Sequence, residues 1–82
     1  MTKLRVYHIQ NIPNRATYHD VATPTCGWRK IVELTQADLR EDSGVTSNVM
    51  GLEEFLDGEW VEWYDDEGYD IDEWADKRGL IA

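Results

Sequence analysis

The sequence predicts an α+β domain with one helix packed on an antiparallel sheet, in the approximate order β-β-α-β-β-β. Three observations lead there: β-branched and aromatic runs in both halves of the chain, one stretch of helical periodicity between them, and an Asp57-Gly58 turn dipeptide between two apolar-aromatic runs. Eighty-two residues make a single domain, 1–82. At this size folding buries only about 60% of the unfolded chain's surface. A second lobe does not fit, and the deep cleft most enzymes need goes with it.

Each element has its own local signal. Residues 4–9 are β-branched and aromatic enough for a strand, residues 11–14 supply turn chemistry, and residues 16–21 make a second strand. Thr23 before Pro24 reads as a helix N-cap with proline in the first turn. Over residues 27–40, Trp28, Ile31, Val32, Thr35 and Leu39 recur at spacings of three and four, which predicts an amphipathic helix. Residues 41–44 end it and residues 45–48 form an exposed connection. Residues 49–56 and 59–64 read as two strands joined at Asp57-Gly58. After a polar turn at residues 65–68, apolar and acidic residues alternate over 69–74, which predicts a half-buried edge strand or extended segment. Residues 75–82 are expected as a short helical turn or a tail.

Charge is segregated along the chain. Residues 1–40 hold six bases and three acids, whereas residues 41–82 hold fourteen acids and two bases, and twelve acids fall between Glu53 and Asp76 with no base among them. Such self-repulsion costs folding stability and favours solubility. A lone cysteine, Cys26, excludes an internal disulfide and fits a reducing compartment. Charges inside the first apolar run are unlike a secretory leader, and no apolar stretch reaches membrane-spanning length, so the cytoplasm is the expected location.

The acidic segment either is a solvated sheet face over an aromatic core or is a binding surface. Alternation places Glu59, Val61 and Trp63 on one face of the strand and Trp60, Glu62 and Tyr64 on the other, so Trp60 and Trp63 cannot share a core. One outward aromatic among carboxylates is the composition of a protein interface, with aromatic anchors and charge that steers a basic partner. The expected contact residues are Glu53, Glu59, Trp60, Glu62, Trp63, Asp65, Asp66 and Glu67. Self-association in a structural or assembly role, with acidity serving solubility, is the alternative.

Other chemistries are poorly supported. In an EF-hand the glycine stands at loop position six, and placing Gly68 there puts Trp63 where the first oxygen ligand is required, so no metal site is expected. Cys26, His8 and His19 are the only residues able to form a nucleophile–base pair, and no glycine-rich elbow accompanies them. The histidines are expected to cap strands or face solvent. Phosphate-binding loops are absent, and the six bases of the first half form no cluster. The chain is therefore expected to be neither an enzyme nor a direct nucleic-acid binder, and to need no cofactor.

In residues 51–68, which contain the block "DGEWVEWYDDEG", together with Leu4-Arg5-Val6-Tyr7, the chain resembles small bacteriophage and prophage proteins of the superinfection-exclusion type. The resemblance implies a phage accessory protein that contacts a host or competing-phage component, and it carries over no active-site residues. In size and charge the chain is also similar to acidic inhibitors that mimic DNA.

Overall fold

The computed structural model describes residues 3–12 and 14–80. Its elements are β1 (Leu4–Gln10), β2 (Thr17–Val21), α1 (Pro24–Asp38), β3 (Asn48–Leu56), β4 (Glu59–Glu62) and α2 (Ile71–Lys77). The four strands form an antiparallel sheet in the order β2-β1-β3-β4. Both central strands are thus widely separated in sequence. The domain is α+β with helices on a sheet, as the sequence predicts.

Local chemistry explains the boundaries. Thr23 is extended and its hydroxyl oxygen accepts the Cys26 backbone N–H, with Pro24 directly after it, so α1 starts about a turn before the periodic apolar residues do. Asp57 and Gly58 both take positive φ, 50° and 85°, the condition for the tight turn that joins β3 to β4. Pro13, within the turn expected at residues 11–14, lies outside the described residues, as do residues 81 and 82 of the expected tail.

One predicted element differs in kind. The alternation over residues 69–74 predicts a half-buried edge strand or extended segment, yet Ile71 opens helix α2, which runs to Lys77. Asp70 caps it, accepting the Glu73 backbone N–H at 2.9 Å, and Asp72 and Glu73 fill the first turn, where the helix dipole favours acids. Ile71, Trp74 and Ala75 are buried, at offsets of three and four residues, and that helical spacing prevails over the shorter alternation.

The sheet buries one face. Register sets Leu4, Val6 and His8 of β1 opposite Glu54, Leu52 and Met50 of β3, and α1 and α2 cover this side. Val6, Leu52 and Ile71 are completely enclosed, each side chain contributing about 2 kcal/mol by transfer from water. Trp63 packs edge-on against Trp74, with ring centroids 5.9 Å apart. Helix α1 lies so close to the sheet that a Cβ on Gly27 would come within 2.9 Å of Leu52 Cδ1.

Both histidines depart from the expectation that they cap strands or face solvent. His8 is buried, with Nε2 at 2.6 Å from Asp38 Oδ2 at the end of α1. Gln10 and Asn48 also donate to Asp38, at 2.8 and 2.9 Å, so one carboxylate ties the helix to β1 and β3. His19 is half-buried on β2, and its Nε2 makes no hydrogen bond among the described residues.

Candidate interaction surface

Strand alternation sends the remaining side chains to the face that neither helix covers. On β1 these are Arg5, Tyr7 and Ile9, on β2 Tyr18 and Asp20, on β3 Val49, Glu53 and Phe55, and on β4 Trp60 and Glu62. Tyr64 follows just past the end of β4. Tyr18 and Tyr64 are each about half exposed, at 51% and 55%, and Phe55 and Val49 are also exposed. The face is therefore an aromatic and aliphatic surface crossed by charge.

Arg5 organises its centre. The guanidinium lies 3.7 Å from the centroid of the Tyr18 ring and 4.1 Å from that of Trp60, with Nε donating to Glu53 Oε1 at 2.9 Å. Tyr18, Arg5 and Trp60 form a stack spanning the sheet, and partial shielding from water strengthens such cation–π contacts. Phe55 meets Trp60 edge-on at 5.2 Å. Trp60 is the outward tryptophan, and it is half-buried by these neighbours.

Next to this stack, Tyr7 crosses Gly51. A Cβ at Gly51 would fall 2.6 Å from Cε2 and Cζ of the Tyr7 ring, so only glycine lets the ring lie flat across β3. The hydroxyl then reaches Glu62 on β4 and donates to Oε1 at 3.2 Å. Burial and the neighbouring Glu62, Glu53 and Asp72 carboxylates push the Tyr7 phenol up to about 12. Glu62 is itself raised above the usual carboxylate range, chiefly by burial, with Asp70, Glu53 and Asp72 adding to the effect against the Tyr7 hydrogen bond. Asp72 is raised by burial and by Asp70. Repulsion among these acids is thus felt inside the folded domain.

The residues expected as a contact surface do not converge on one patch. Glu53, Trp60 and Glu62 lie together on the uncovered face. Glu59 is exposed but points to the other side of the hairpin. Trp63 belongs to the core, at 9% exposure, and is removed from the contact set. Asp65 spends an oxygen on its own turn, accepting the Glu67 and Tyr69 backbone N–H groups at 2.9 and 2.8 Å, while Asp66 and Glu67 are exposed beside it. Sequence reasoning missed Arg5, Tyr7 and Tyr18. Their alternation on β1 and β2 was readable, but nothing in sequence indicates that β1 lies between β2 and β3.

A recess of about 320 Å³, lined by Lys3, Leu4, Asp20, Val21 and Trp60, opens at one end of the stack. A smaller one of about 150 Å³ adjoins Asp38 and residues 45–48. Cys26 is exposed on α1. Among the described residues, no three His, Cys, Asp or Glu side chains are placed to share a metal ion, and no helix is long and apolar enough to cross a membrane. No protein-family model, curated protein or solved structure matches this chain.

Proposed function

We propose that this chain is a non-catalytic binding protein, a phage-type accessory factor, that docks a basic macromolecule through its acidic, aromatic C-terminal half. One observation carries this reading. Of the twelve acids from Glu53 to Asp76, only Glu53 reaches a basic side chain at ion-pair distance among the described residues. Carboxylates left without counter-charge repel one another, and a basic partner relieves that cost on association while its field speeds encounter. A nucleic-acid-binding protein is the favoured partner class, with carboxylates standing where DNA phosphates would.

Affinity capture from bacterial lysate tests the idea. Wild-type protein should retain a basic nucleic-acid-binding protein at low salt and release it at high salt, and the charge reversals Asp66→Lys and Glu67→Lys should reduce recovery. Recovery of no basic protein at low salt would count decisively against it. A second reading, self-association through the uncovered face, is favoured by the exposed Tyr18, Phe55 and Tyr64. It predicts a concentration-dependent mass by light scattering that survives high salt.

A further inference from the structure

A single rung of the sheet carries charge on all four strands. Asp20 of β2 faces Arg5 of β1, Arg5 faces Glu53 of β3, and Glu53 faces Glu62 of β4. All four side chains belong to the uncovered face, and their signs run minus, plus, minus, minus. Like charges directly opposite each other on neighbouring strands are destabilising, and Arg5 serves only the Glu53 side of the pair. The rung lacks one cation.

The same face displays how it holds a guanidinium. Arg5 lies between two rings with a carboxylate against its edge, an arrangement suited to a planar fork that stacks and hydrogen-bonds at once, and less suited to a compact ammonium. Around Glu62 the same ingredients are present without a base. The half-buried carboxylate is held by the hydroxyl of Tyr7, whose ring lies across Gly51 beside it, and exposed Tyr64 follows two residues later in the chain. At the other end of the stack, the recess beside Trp60 contains Lys3, which disfavours a second cation there.

We infer that the uncovered sheet face docks an arginine-bearing basic segment of a partner protein, with one guanidinium completing the charge rung at Glu62 beside the Tyr7 ring. This rests on the reading of the chain as a binder of basic partners and names the chemistry that its sheet face recognises. Charge complementarity sets the occupant: the rung has two carboxylates adjacent and one arginine between three acids. A second copy of the chain would bring the same surplus of acid to the contact.

The full chain, labelled with ¹⁵N, can be titrated with a short peptide alternating arginine and glycine and with its lysine counterpart. The arginine peptide should shift amide signals of Phe55, Glu62 and Tyr64 and bind about fivefold more tightly than the lysine peptide. Glu62→Gln should weaken it about fivefold, the size of one solvent-accessible ion pair. Glutamine can still accept from Tyr7 and removes the repulsion with Glu53, so this variant should unfold at no lower urea concentration than wild type, and lost binding cannot then be lost folding. Equal binding of both peptides, or binding unaffected by Glu62→Gln, overturns the proposal. If those peptides instead shift Asp66 and Glu67, the chain still binds basic partners, but not through the sheet face. If neither peptide binds while lysate capture succeeds, the sheet-face assignment alone fails, and failure of both experiments removes both readings.

Discussion

Asp38 is the residue on which the buried polar chemistry turns. Burial alone would push its carboxyl up, but hydrogen bonds from Asn48, His8 and Gln10 outweigh that, and the net direction is down. An ionised carboxylate only accepts, so His8 must present an N–H from Nε2. Replacing Asp38 by Ala leaves three donors facing a vacancy and should cost about 3 kcal/mol, read from urea unfolding followed by tryptophan fluorescence. The sign of the pH dependence follows from the depressed value in the folded state. Stabilisation by Asp38 is complete above its ordinary 3.8 and is lost as pH falls through the lower folded value. Wild-type stability should therefore decline in that acid range, and the decline should be shallower in Asp38→Ala. Glu62 and Asp72 act in the opposite sense. Their raised folded values mean that mild acidification, through the window just above their ordinary 4.5 and 3.8, should first add stability.

Among the elements, α2 shows where sequence patterning is ambiguous and why. Tyr69, Asp70, Ile71 and Asp72 alternate as a strand would until the cap is considered: Asp70 three residues before Glu73 is a helix-start signature, and Ala75 completes an apolar stripe with Ile71 and Trp74. Asp70→Ala should cost about 1 kcal/mol in the urea midpoint and loosen the Trp63–Trp74 contact, visible as a shift in tryptophan emission. The strands and α1 were legible because their signals are local: the Thr23-Pro24 start, the Asp57-Gly58 turn, the spacing from Trp28 to Leu39. Alternation likewise separated Trp60 from Trp63. The Arg5 stack, the Tyr7 reach across Gly51 and the Asp38 hub were not legible, because each depends on which strands are neighbours. Nothing in one sequence states that β1 pairs with β3.

For the whole molecule, the decisive quantity is charge over a small body. The formal net charge is −9 on a domain with extents of 38 × 31 × 19 Å. At about 0.01 M ionic strength the screening length is about 30 Å, comparable with the molecule, and at about 0.15 M it contracts to about 8 Å. Raising salt across that range should therefore increase the urea midpoint of unfolding, because repulsion is screened over most of the surface. The same change should weaken association with any basic partner. A protein held together by surface ion pairs would lose stability instead.

The strand order has a kinetic side. Hairpins β1–β2 and β3–β4 each join segments adjacent in sequence, whereas the sheet is complete only when Leu4 to Gln10 meets Asn48 to Glu54. That central pairing closes a loop containing all of β2 and α1, so it carries the largest loop-closure cost of the three strand pairings. The Arg5 stack and the charge rung span this same seam. Until it closes, Arg5 stands on one hairpin and Trp60, Glu53 and Glu62 on the other, so the uncovered face is assembled only when this pairing forms.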